Sequence, residues 1–138
     1  MVHDYPARWD TVTPPFTEGR GKEKFYLYCR QNGLWPKEVG GHDPEKEPAF
    51  FVQYCPVRNV AANYPPTLLL HGDRDTDVPY RQSVLMAEAF SRNNVEHELI
   101  TMEGRGHNFD AEMDDSMVRE AFTKVLAFLD MHTKTKEA

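Results

Sequence analysis

Apolar positions recur with a regular period in only one half of this chain. After Pro66 the run Thr67 to Leu70 is short, apolar and bounded by turn residues, which predicts a buried strand. Pro79 suits a first helical turn, and Tyr80, Val84, Ala87 and Phe90 then repeat at helical spacing. Asn93 and Asn94 end that helix, since asparagine tolerates the left-handed conformation. A second strand is predicted at about Glu98 to Met102, followed by the glycine-flanked loop Gly104-Arg105-Gly106-His107. Asp114, Asp115 and Ser116 are N-cap candidates for a last helix with an apolar stripe of Val118, Phe122, Val125 and Leu129. Strand, helix, strand, helix with short connections reads as a βαβ unit with parallel strands and a right-handed crossover.

The segment up to Pro66 lacks this regularity. Nine of the ten prolines and eleven of the sixteen aromatics fall there, and stretches such as Thr13-Pro14-Pro15-Phe16 break any long helix. One or two short helices are predicted, around Glu23 to Asn32 and Pro48 to Tyr54, and no strand. The domain expectation is a Pro- and aromatic-rich cap-like segment at 1–64, an α/β core portion at 65–132 and a frayed tail at 133–138. A loop-rich segment of such length usually covers a site or packs on another body. Its aromatics, among them Trp9, Phe16, Phe25, Tyr26, Trp35, Phe50, Phe51 and Tyr54, suit either a substrate pocket or plain packing.

Composition changes the picture little. At 138 residues the chain has the size of one domain, and a net charge of −6 excludes broad attraction to nucleic acid or an anionic membrane. No stretch has the length of a transmembrane helix and Met1-Val2-His3-Asp4 does not open a signal peptide, so the expected setting is cytoplasmic. Cys29 and Cys55 are too few for a disulfide framework or a zinc site, and neither a metal nor a cofactor is expected.

The chemistry follows from the topology. Parallel strands joined by a crossover have their carboxyl ends at one sheet edge, about 4.8 Å apart. The loop after the first strand carries Asp73, Asp75 and Asp77; the loop after the second carries His107. An aspartate that accepts from one imidazole nitrogen fixes the tautomer and leaves the other nitrogen as a base. Asp73 and Asp77 read as turn and helix-start residues. His71 reads as a structural hydrogen-bonding residue, and His3, His42, His97 and His132 have no partner at a telling spacing.

The strings "PPTLLLHGDRDTDVPYRQSVLMAEAF" and "VEHELITMEGRGHNFD" resemble the carboxyl-terminal end of α/β-hydrolases, with the prolyl-oligopeptidase and dienelactone-hydrolase-like branches the nearest likeness. The resemblance spans about Tyr64 to His132. It implies that His71, Gly72, Asp75, Val78 and Pro79 match the acid motif and Gly106-His107 the base motif, with Asp75 and His107 as members of a Ser-His-Asp triad. The implied fold is the C-terminal βαβα portion of an α/β-hydrolase, preceded by an irregular, mostly helical cap-like segment.

The triad serine of this fold precedes the acid and sits on a Gly-x-Ser-x-Gly elbow. Ser83, Ser91 and Ser116 all follow Asp75 and none has that context; Cys29 and Cys55 precede it but lack the flanking glycines. Gly40-Gly41-His42 has the composition of an oxyanion loop in the wrong order. The expectation is therefore a C-terminal fragment of a serine esterase or peptidase that carries the acid and the histidine, lacks the nucleophile and is inactive alone. It would associate as a homo-oligomer or with a missing N-terminal hydrolase half, because two strands make a poor independent sheet. Two alternatives stand beside it: a non-enzymatic hydrolase remnant serving as an interaction domain, and a magnesium-dependent phosphatase using the Asp73-Arg74-Asp75 string. A metal site from Asp73, Asp75, Asp77 and His107 is a further variant.

Overall fold

The computed structural model describes residues 21–133, and the side chains from Phe25 onward. The expectations for Trp9, Phe16, His3, the Thr13–Phe16 stretch and the tail beyond Thr133 lie outside the described residues. The chain divides into two compact units, Met1–Asn59 and Val60–Ala138.

In the first unit the described residues form helices α1 (Gly21–Gln31), α2 (Trp35–Gly40) and α3 (Pro48–Val52), then a single 3₁₀ turn at Pro56–Arg58. Glycine and proline mark the boundaries. Gly33 takes a positive φ of 67° after α1, and Gly41 (φ 72°) closes α2 by donating its N–H to the Lys37 carbonyl at 3.0 Å. Pro36 and Pro48 sit in the first turns of α2 and α3, where their missing N–H leaves no helical bond unmade. Among the described residues of this unit Cys29 is the fully buried side chain, and burial pushes its thiol pKa up, with Glu38 adding to the shift. Asn59 ties the end of the unit together by donating to the Val52 and Cys55 carbonyls at 2.8 and 2.9 Å. The unit is helical as expected, with α2 an addition that Trp35-Pro36 conceals by reading as a break.

The second unit runs β1 (Thr67–Gly72), α4 (Arg81–Arg92), β2 (His97–Met102), a 3₁₀ turn at Phe109–Ala111 and α5 (Ser116–Thr133). β1 and β2 pair in parallel, with Thr67 opposite His97 and Gly72 opposite Met102. Alternation along each strand sends successive side chains to opposite faces. Leu70, Ile100 and Met102 meet Val118, Ala121 and Phe122 of α5, which forms the core of this unit. The other face carries His71, His97 and Thr101 and meets α4. There Phe90, fully buried, packs against Tyr64 and His97, and Tyr80 hydrogen-bonds Thr101.

The helix ends follow the predicted caps. The Asn93 side chain donates to the Ala89 carbonyl at 2.9 Å and Asn94 takes φ 54°, so the asparagine pair does end α4. Asp115 caps α5, its Oδ1 accepting from the Met117 and Val118 amides at 2.8 and 3.3 Å. The predicted stripe of α5 needs one correction. Val118 is buried and Phe122 and Val125 are half-buried, but Leu129 is 47% exposed; the inward row continues through Phe128 and His132, whose rings meet at 4.4 Å with their planes tilted by 49°.

Candidate active site

Both loops that follow the strands open at the same sheet edge, so Asp75 and His107 do come together. Asp75 turns its own loop: Oδ1 accepts from the Asp77 and Val78 amides at 2.7 and 2.8 Å, the local turn chemistry that aspartate favours. That leaves Oδ2, which accepts from His107 Nδ1 at 2.8 Å. Asp75 is 5% exposed. Burial pushes its carboxyl pKa up, but the bond from His107, the Val78 and Asp77 amides and the nearby imidazole outweigh it and hold the group below the usual carboxylate range. Asp75 is therefore an ionised acceptor at neutral pH. With Nδ1–H donated to a carboxylate, the half-exposed His107 keeps a bare Nε2.

A second imidazole shares the same oxygen. His71 lies on the α4 face near the end of β1, with Nε2 at 3.3 Å from Asp75 Oδ2 and 3.1 Å from the Val78 carbonyl oxygen. A carbonyl only accepts, so Nε2 carries the proton and Nδ1 is bare. Ser83 Oγ lies 2.7 Å from that Nδ1 and donates to it. Tyr80 fixes the ring, standing edge-on to it at 5.6 Å and 89°.

This geometry overturns the expectation that the chain has no serine in triad relation. Ser83 is hydrogen-bonded to His71, and His71 in turn pairs with Asp75 at 3.3 Å, a Ser-His-Asp arrangement within one chain, so an absent nucleophile, inactivity for want of one and a purely non-enzymatic remnant no longer follow. Ser83 was hidden for two reasons: it follows the acid in sequence, and it lies in the first turn of α4 with no glycine beside it. The discoverable signal was parity. His71 shares its face with Leu69, the face that α4 covers, and Ser83 is in the turn of α4 that begins over that strand end. His71, read from the sequence as a structural hydrogen-bonding residue, bonds to the Val78 carbonyl but also to Ser83, and pairs with Asp75.

The phosphatase variant also fails. Asp73 Oδ1 accepts from the Gly104 amide at 2.7 Å, and both Asp75 oxygens accept from N–H donors. Among the described residues no group of three His, Cys, Asp or Glu side chains is placed to hold a metal ion.

An open cavity of about 260 Å³ lies against the cluster. His71, Asp75, His107, Asn108 and Asp110 supply its polar wall, and Leu70, Val78 and Phe109 its apolar one. Apolar walls with a few convergent polar groups are the usual make-up of a small-molecule site.

Comparison with known proteins gives this geometry a context. The family model described as "Prolyl oligopeptidase family" matches residues 25–136. The esterase LipC of Mycobacterium tuberculosis is 35% identical over 69 residues, 48% of this chain and 17% of that protein. The non-reducing polyketide synthase Preu3 of Preussia isomera is 38% identical over 58 residues, 41% of this chain and 2% of that protein. A truncated form of a carbohydrate esterase from gut microbiota superposes with a TM-score of 0.56 at 28% identity, over 70% of this chain and 32% of the other. A thermophilic esterase of Thermogutta terrifontis gives 0.51 at 25% identity, over 59% and 30%. The chain thus spans no more than about a third of any of these relatives. Among the described residues no helix is long and apolar enough to cross a membrane.

Proposed function

The chain belongs to the prolyl oligopeptidase family, and on that premise we propose that its site hydrolyses a carboxylic ester or a peptide bond through Ser83, His71, Asp75 and His107. The observation that carries the reading is the single ionised carboxylate of Asp75, accepting from His107 and lying 3.3 Å from His71, which accepts from a serine hydroxyl. In this reading Ser83 Oγ adds to the substrate carbonyl carbon as its proton passes to His71 Nδ1. The resulting imidazolium is stabilised by Asp75, whose low pKa keeps it charged. Collapse of the tetrahedral adduct expels the alcohol or amine, which takes that proton. His107, which lines the cavity, is the base that takes a proton from the attacking water; the second adduct collapses to release the acid, and that proton returns to the departing Ser83 Oγ.

Residues 1–64 are then a cap-like segment, 65–132 the hydrolase core portion and 133–138 a tail. Association belongs to the same proposal: two strands make a small sheet, and the outer edge of β1 suits a further strand from a second copy or from another hydrolase segment. The two free cysteines fit a reducing, cytoplasmic setting.

A fluorophosphonate probe, which bonds to an activated serine, tests the reading when the adduct is mapped by peptide mass spectrometry. The expected adduct is on Ser83, lost in Ser83→Ala and formed about 10³–10⁴-fold more slowly in Asp75→Asn. No adduct on the folded chain, or an adduct on Ser91 or Ser116 that survives Ser83→Ala, sinks it.

A further inference from the structure

We propose that Asp73 is a positioning residue: its carboxylate clamps the histidine-bearing loop to the aspartate-bearing loop and so sets His107 against Asp75. The inference deepens the reading of the site given above. The loop after β2 holds two glycines, Gly104 and Gly106, and Gly104 has a φ of 70°. A chain segment of that composition has wide conformational freedom, so its own residues do not explain why His107 stands 2.8 Å from Asp75.

The contacts at its start do. Asp73 Oδ1 accepts from the Gly104 amide at 2.7 Å, and the Asp73 amide donates to the Met102 carbonyl at 3.3 Å. One residue on, the Arg74 amide donates to the Arg105 carbonyl at 2.9 Å. Further along, the Arg105 guanidinium pairs with Glu112 at 3.0 Å and with Asp115 at the start of α5. The loop is held on one side by the acid loop and on the other by α5, with His107 following two residues after Arg105.

An aspartate acting as an ordinary turn residue bonds to amides two or three residues ahead, as Asp75 does. Asp73 reaches an amide 31 residues away, on the loop that carries the histidine, a span that no local turn bond covers. A bond from a backbone N–H to an ionised carboxylate is about twice as strong as a neutral one, which suits a clamp on a glycine-rich segment.

The test reads the His107–Asp75 bond directly. In the parent chain the Nδ1 proton of His107, deshielded by that bond and slowed in its exchange with water, gives a low-field resonance in the proton NMR spectrum. Asp73→Ala is expected to broaden or erase it while circular dichroism still reports a folded chain. Asp73→Asn keeps an acceptor oxygen at the same reach and is expected to retain it. A folded Asp73→Ala chain with the parent resonance overturns the proposal, as does loss of the resonance in both variants alike. Should Asp73→Ala not fold, Asp73→Ser shortens the reach while keeping a turn-forming side chain, and the same signal decides. In a turnover assay Asp73→Ala is expected to lower kcat by roughly 10²-fold with KM little changed, the effect of misplacing a catalytic group by about 1 Å. The resonance needs no turnover, so a chain that hydrolyses nothing would sink the functional reading and leave this one standing.

Discussion

Replacing Gly72 by alanine tests how closely the two site loops are packed. Gly72 is the last residue of β1 and is buried. A Cβ at that position would point at backbone, meeting the Arg105 carbonyl oxygen and, at 2.7 Å, that of Gly106. Ordinary contact begins at 3.4 Å, so the Gly106 carbonyl would have to retreat by about 0.7 Å and the Arg105 carbonyl further. These are backbone atoms of the segment that carries His107, and no side chain can swing aside to relieve them. Overpacking of this kind costs about 1–3 kcal/mol. The displacement also strains the Arg74–Arg105 and Asp73–Gly104 bonds, each worth about 1 kcal/mol net. The expected total is about 2–4 kcal/mol. Urea unfolding measures it: with a slope of about 1–3 kcal/mol/M, the midpoint should fall by roughly 0.7–4 M at an unchanged slope. A shift corresponding to less than about 0.5 kcal/mol, with the His107 signal in place, would refute the close packing of these loops.

The remaining predictions concern the core and the charge state of the site. Met102, 1% exposed between β2 and α5, should cost about 2–5 kcal/mol on truncation to alanine, whereas Leu129→Ala should cost under about 1 kcal/mol; equal effects in urea unfolding would restore Leu129 to the inward face. Asp75 has a folded-state pKa below its unfolded one, so the unfolded chain binds its proton first as pH falls. Its stabilising contribution is therefore complete above the ordinary carboxylate value of about 3.9 and is lost as pH drops through the lower folded value. The stability gap between the parent and Asp75→Asn should be constant near neutrality and shrink below about pH 4; a gap that persists unchanged to pH 2 would contradict the ionised, doubly bonded carboxylate.

Periodicity was enough to place β1, α4, β2 and α5, because a strand bounded by turn residues and a helix with a one-sided stripe each leave a pattern within a few residues. It also brought Asp75 beside His107, since parallel strands put their following loops at one edge whatever the side chains are. Three features lay beyond it. β1 continues past the apolar run Thr67–Leu70 to Gly72, because the absent side chain there lets the Arg105 and Gly106 carbonyls come close. In α5 a spacing of three or four residues fits Leu129 as well as Phe128, and only the packed sheet face decides between them. The contact of Ser83 with His71 depends on which sheet face α4 covers, a choice made by the crossover and invisible to any local motif.

The parallel ladder does not stop where the strands do. Past Gly72 it is continued by the Asp73 amide on Met102 and the Arg74 amide on Arg105, so the segments that carry the acid and the histidine are extensions of the sheet itself. A site made this way is coupled to strand pairing. When β1 and β2 part at their carboxyl ends, the last backbone bonds, the Asp73–Gly104 bond and the Asp75–His107 bond are put at risk in one event, so the lifetime of the cluster is tied to the pairing of those ends.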